Sequence, residues 1–166
     1  MARGTIMKLY FFRHGHAEDS DGPEFDDFAR RLTPKGIENT KTAARALVRL
    51  GIRPAVIYSS PRVRARETAD ILAKAFDMKV SVQDEVGFAF SAQHIGPLIA
   101  DINVDAEVMF VGHEPDLSTT ITTLIGGGEV VMKKGGMARV DLFSRAPLRG
   151  ALVWMLAPKI FDGFGN

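Results

Sequence analysis

The chain has no cysteine, no apolar run long enough to span a bilayer and no excess of charge of either sign. Each absence removes a class of function. Without cysteine there is no disulfide, no thiolate nucleophile and no sulfur-ligated metal, which fits a reducing cytoplasm and leaves His, Ser, Thr, Asp, Glu and Lys to carry any chemistry. A membrane span needs about 18 consecutive apolar residues, and none occurs. With 21 basic residues against 20 acidic ones, the formal charge of +1 is too balanced for general binding to nucleic acid or a membrane surface. Any positive field must be local. Internal repeats, a dividing linker and a phosphate loop of the G-x-x-x-x-G-K-[ST] type are also missing, and Gly126-Gly127-Gly128 reads as a flexible turn.

What is present is 166 residues, 46% of them hydrophobic, enough for one core and therefore one domain over residues 1–166. The first residues followed by an apolar run superficially resemble a signal peptide, but the run is short and passes into Arg13-His14 with no small-residue cleavage pattern. It reads as a strand over residues 6–12. Residues 17–31 are acidic, contain Gly22 and Pro23 and lack a period, as in a surface loop or lid. Thr33-Pro34 then caps and opens a first helix that runs to Gly51. Residues 54–59 read as a second buried strand, and Ser60-Pro61 opens a helix to about Phe76. A short strand at 79–82, a loop at 84–91 and a weaker helix at 92–102 follow. Residues 107–112 form a further buried strand, His113 to Asp116 open a helix through about Ile125, and 137–143 and 151–157 look like closing strands. This alternation predicts an α/β fold, a three-layer α/β/α sandwich with a largely parallel central sheet.

In open α/β sheets the functional crevice lies beyond the carboxyl ends of the strands. Three such ends stand out: Arg13-His14-Gly15, Ser59-Ser60-Pro61-Arg62-Val63-Arg64, and Gly112-His113-Glu114-Pro115. Arg62, Arg64 and Arg66 fall at the start of a helix, where the macrodipole disfavours cations, so local stability did not select them. At about 100° per residue Arg64 points inward, while Arg62 and Arg66 share a flank that reads as a solvated basic face. Of the four histidines, His94 reads as structural and His16 as a loop neighbour; His14 and His113 each follow a buried strand. Two strand-end histidines with Arg13 and Arg64 describe a phosphoryl site, because guanidinium forks match phosphate oxygens and keep their charge at any physiological pH. Gly15 would let backbone approach the anion. A metal reading of His14-x-His16 with Glu18 and Asp19 is disfavoured, since the adjacent arginine would repel a cation and no second ligand cluster has suitable spacing.

Arg13-His14-Gly15, Leu32-Thr33-x-x-Gly36, Ser60-Pro61-x-x-Arg64-Ala65-x-x-Thr68 and Gly112-His113 together resemble the histidine phosphatase superfamily, also called phosphoglycerate mutase-like. Within it, the short chain and the Gly-His-Glu-Pro sequence look like SixA-type phosphohistidine phosphatases. The resemblance implies that His14 takes the phosphoryl group to form a phosphohistidine intermediate, while Arg13, Arg64 and a protonated His113 hold its oxygens. It implies no metal and no cofactor. For the leaving-group proton it offers Glu85 as the positional candidate, Glu114 as the alternative, or no acid at all, because imidazole with a pKa of about 6.5 leaves readily.

The implied substrate is phosphohistidine on a signalling or phosphotransfer protein, such as a histidine phosphotransfer domain, since so short a chain has little room for the cap that encloses small substrates. A phosphatase of small phosphomonoesters is the nearer alternative, and a non-catalytic phosphate-binding module is the alternative from another class. The oligomeric state, and whether residues 17–31 close over substrate, are left open by the sequence.

Overall fold

Strand β1 (Met7–Arg13) is buried along most of its length, and its side chains alternate between two cores, Leu9 and Phe11 facing one, Tyr10 and Phe12 the other. A strand covered on both faces shows no polar alternation, which is why its sequence is a continuous apolar run. The computed structural model describes residues 6–19, 22 and 25–164. The reading of residues 1–5, and of positions 20, 21, 23 and 24 in the acidic loop, lies outside the described residues.

After β1 come α1 (Pro34–Arg49), β2 (Pro54–Ser59), α2 (Val63–Ala75), β3 (Val80–Val82), a 3₁₀ turn (Asp84–Val86), α3 (Ala92–Ile99), β4 (Glu107–Gly112), α4 (Asp116–Ile125), β5 (Met137–Arg145), β6 (Leu148–Leu156) and α5 (Pro158–Asp162). The strands form one sheet in the order β3-β2-β4-β1-β5-β6. β1, β2, β3 and β4 run parallel, while β5 is antiparallel to β1 and to β6. Side chains of α1, α2 and α5 pack on one face, those of α3 and α4 on the other. The fold is the expected α/β sandwich with a mostly parallel sheet.

Departures from the expected pattern fall at element ends. Helix α1 begins as read, Thr33 accepting from the Gly36 amide with Pro34 in the first turn. Helix α2 begins only at Val63 and has no side-chain cap; the Ser60 hydroxyl instead meets the Arg62 amide and His113. Helix α3 ends at Ile99 rather than residue 102, with Pro97 removing one of its few backbone donors. The closing strands are longer than read. Helix α5 was not anticipated from sequence: five residues are too few for a periodic stripe, and the buried Phe161 anchors it.

Register then positions the strand ends. Arg13 pairs with Gly112 across β1 and β4, so His14 and His113 leave the sheet side by side. Ser59 pairs with Val111, and the Ser60 amide donates to the Val111 carbonyl, which brings the approach to α2 to the same edge. From the other side, the Gly135 amide donates to the carbonyls of Arg13 and His14, and the Arg13 amide donates to Gly136.

Candidate active site

His14 is 6% exposed. Its Nδ1 lies 2.7 Å from the Gly15 carbonyl, to which only a protonated nitrogen can donate, so Nε2 carries the lone pair. Arg64 Nε sits 3.3 Å from that Nε2. Burial pushes the imidazole down to about 3, the Gly15 carbonyl opposing and Arg64, Arg13 and Lys134 adding to the shift. The ring is therefore neutral at physiological pH, buried and surrounded by cations.

His113 lies 5.2 Å from His14 between ring centroids and is 2% exposed. Its Nε2 is 2.7 Å from the Ser60 hydroxyl, and its Nδ1 is buried without a hydrogen-bond partner. Burial, His14 and the arginines push it down to about 3 as well. The protonated His113 implied by the family resemblance is thus not its form in this structure, because the ring is buried and its charged neighbours are mainly cationic. Arg13 donates from Nη1 to the Met132 carbonyl at 2.7 Å, which leaves its buried Nε unpartnered. Among the described residues, Arg13 Nε and His113 Nδ1 are the buried side-chain nitrogens or oxygens lacking a partner. Such atoms cost stability unless a ligand satisfies them.

Arg64 is buried, as its inward position on the helix predicted. Beyond His14 it donates to the Asp27 carbonyl at 2.7 Å and to the Asp27 carboxylate at 3.2 Å. Arg62 is a correction: it is not a solvated face. It lies at the N-cap of α2, where helical spacing does not yet apply, and its guanidinium bonds Asp27 Oδ2 at 2.6 Å and stacks on Phe88, 3.4 Å from the ring centroid. Arg66 is exposed and pairs only loosely with Asp70 at 4.0 Å. Sequence reasoning missed Asp27, Ser60 as a partner of His113, and Phe88. A buried arginine does call for a carboxylate, but residues 17–31 have no period to say which acid supplies it.

Gly15 has a packing role beside the approach to an anion read from the sequence. A Cβ there would meet Thr40 Oγ1 at 2.8 Å and the Gly36 carbonyl at 3.3 Å, so its bareness lets the loop pack on α1, while its carbonyl orients His14. Gly36 is still more constrained, with a Cβ 2.0 Å from the His16 carbonyl. His16 itself is exposed and bonds Thr33, and Glu18 accepts from the Arg31 amide. Among the described residues no group of three or more His, Asp or Glu side chains gathers as a metal site. His94 accepts from the Ser91 amide in a capping box on α3. Glu85 is exposed on the 3₁₀ turn, whereas the Glu114 carboxylate is engaged by the Ser118 amide and hydroxyl.

Among the described residues no helix is long and apolar enough to cross a membrane. Residues 9–87 match the model of the histidine phosphatase superfamily (branch 1). A protein of Picosynechococcus sp., described as uncharacterized, is 38% identical over 140 residues, 79% of this chain and 82% of that one. A SixA structure from Agrobacterium tumefaciens is 28% identical, covers 91% of this chain and 98% of its own, and superposes with a TM-score of 0.75. A protein histidine phosphatase SixA complexed with tungstate gives 0.80 at 20% identity over 93% and 99% of the two chains. A mycobacterial glucosyl-3-phosphoglycerate phosphatase gives 0.70 at 17% identity over 89% and 97%. The last two likenesses are of fold alone. With the family model matched over residues 9–87, its motifs brought together at the strand ends by the fold, and a SixA structure 28% identical over 91% of the chain, the chain belongs to the histidine phosphatase superfamily.

Proposed function

We propose that this protein is a phosphatase that removes the phosphoryl group from phosphohistidine on a signalling or phosphotransfer protein of the cytoplasm, by way of a phosphohistidine on His14. The observation that carries the reading is the state of His14: a neutral ring held through Nδ1 on the Gly15 carbonyl, with Nε2 presented beside Arg64. A nucleophile fixed in one tautomer next to an anion-binding fork has the arrangement in-line attack needs.

In the first step the Nε2 lone pair forms a bond to phosphorus as the bond to the substrate nitrogen breaks, and the electron pair leaves with the substrate imidazole, which departs neutral because the substrate ring reacts with a proton on its other nitrogen. Arg13 Nε and His113 Nδ1, unpartnered and buried, together with Arg64, hold the equatorial oxygens. A phosphoryl dianion opposes the cations that depress His113, so its arrival favours the protonated form. Water then attacks phosphorus, the bond to His14 breaks and inorganic phosphate departs. Imidazole is a good enough leaving group that Glu85, exposed as it is, gives at most modest help. The donors are two guanidinium groups and an imidazole that gains its charge with the arriving phosphoryl group, and the scheme uses no metal or cofactor.

The test is capture of a labelled phosphoenzyme from a phosphorylated histidine phosphotransfer domain in the presence of chelator. Label that is acid-labile and lost in His14→Ala is the expected result. Dependence on added metal, or catalytic efficiency far higher on sugar phosphates than on the phosphoprotein, would move the protein to the small-ester reading. Tight phosphoprotein capture without release of phosphate would make it a binding module.

A further inference from the structure

In the segment Val86-Gly87-Phe88-Ala89-Phe90, the apolar residues at either end are buried, Val86 fully and Phe90 with 3% exposed, while Phe88 between them is 57% exposed. Slack does not explain this. Phe90 is anchored against Phe110 at 5.3 Å between centroids. Ala89 adopts φ 64°, a left-handed conformation that costs a residue with a Cβ about 1 kcal/mol. Its amide is tied to the Asp116 carboxylate at 2.9 Å. Backbone strain maintained by surrounding contacts is a feature of sites that present a side chain for use.

The ring is presented beside the site. Its centroid lies 5.6 Å from that of His113, edge to face, and one of its faces carries the Arg62 guanidinium. In an in-line displacement the leaving group lies opposite the attacking nitrogen. Because His14 is buried, a substrate must reach its Nε2 from the solvent side, and Phe88 is a large exposed side chain packed against both His113 and Arg62.

We propose that Phe88 is a specificity-determining residue whose free face stacks on a planar, aromatic leaving group, so that the site prefers phosphoryl groups carried on flat rings, imidazole included, over those carried on saturated carbon. The assignment rests on reading His14 as the attacking group, and it adds a reason for selectivity that the anion-binding residues cannot supply, since they meet only the phosphoryl oxygens. Stacking of this kind is worth a few-fold to about tenfold in affinity.

Phenylphosphonate and cyclohexylphosphonate share a charge and nearly a size, differ in flatness, and cannot be hydrolysed. Calorimetric titration of the wild-type protein, Phe88→Leu and Phe88→Tyr with both reads the preference without turnover. The expected result is tighter wild-type binding of the phenyl compound, a loss of about five- to tenfold for it in Phe88→Leu, less than twofold change for the cyclohexyl compound, and recovery in Phe88→Tyr. Parallel weakening of both ligands would make Phe88 a prop for Arg62 and His113, and unchanged binding or binding of neither would equally overturn the proposal. A protein that shows the phenyl preference yet leaves phosphohistidine protein intact would refute the function proposed above and retain this assignment.

Discussion

At the amino end of the central strands, Glu107 accepts from Lys8 Nζ at 2.7 Å, from the Arg53 amide at 2.7 Å and from the Tyr10 hydroxyl at 3.3 Å. Nearby Arg139 and Asp141 form a two-bond pair at 2.6 and 2.8 Å. At the carboxyl end of the same strands β1 and β4, Arg13 and His113 each keep a buried nitrogen with no partner, and His14 is held neutral among cations. Both ends bury charge-bearing groups in the same sheet. One closes its hydrogen bonds on itself, as a structural network does; the other leaves two buried nitrogens open, as the proposed phosphoryl site requires. The contrast separates structural from functional polar groups without reference to any relative.

If this division is right, substitutions at the carboxyl end damage turnover and spare the fold. His14→Asn keeps an amide that can donate to the Gly15 carbonyl but has no nucleophilic ring, and turnover of phosphohistidine protein falls by at least about 10³-fold. Thermal melting should show a folded protein of similar stability. Arg64→Lys comes next, with a loss of about 10²-fold, because a point charge cannot serve His14, Asp27 and a phosphoryl group at once as the fork does. A loss below tenfold in steady-state kinetics would mean that Arg64 belongs to the scaffold instead.

The carboxyl-end half of this comparison was largely legible in the sequence, and for a specific reason. Apolar runs covered on both faces mark the inner strands, and the residue after each run is fixed in space by the parallel register, so His14, His113 and Ser60 could be compared before any coordinates. Helical spacing turned Arg64 inward correctly and failed for Arg62, which precedes the first helical residue and follows no 100° step. Asp27 and Phe88 were illegible because they sit in loops, where neither period nor register fixes a direction. The amino-end network was missed for a related reason: Glu107 looks like an ordinary strand-start residue until Lys8 and the Arg53 amide converge on it.

Substitution at the amino end should give the opposite outcome. Glu107→Ala leaves the Arg53 amide and the Tyr10 hydroxyl without their acceptor and costs about 2 kcal/mol. Urea denaturation should record that loss while turnover per folded molecule stays within about twofold. A large fall in turnover with little change in stability would merge the two ends and remove the basis of the distinction.

The mildest and most discriminating measurement is the pH dependence of stability. His14 and His113 sit at about 3 when folded against 6.5 for a free imidazole. The unfolded chain therefore binds protons first, so stability is full above about 6.5, declines as pH falls and levels only near 3. The slope in that window is about 1.4 kcal/mol per pH unit for each histidine. Burial by itself would raise Glu107, but its bonds from Lys8 and the Arg53 amide outweigh burial and hold it below the ordinary carboxylate range. Its contribution is accordingly full above the ordinary carboxylate value and is lost only as pH falls through the lower folded one. Urea denaturation at pH 7.5 and 5.5 separates the two, because in that interval protons bind the unfolded imidazoles of His14 and His113 but not the Glu107 carboxylate. His14→Asn should lose less stability over that interval than wild type, whereas Glu107→Gln should start lower and fall in parallel with wild type. Parallel behaviour of His14→Asn would mean that the imidazole takes up its proton equally in the folded and unfolded chain, and the fold would then not hold the ring neutral for attack.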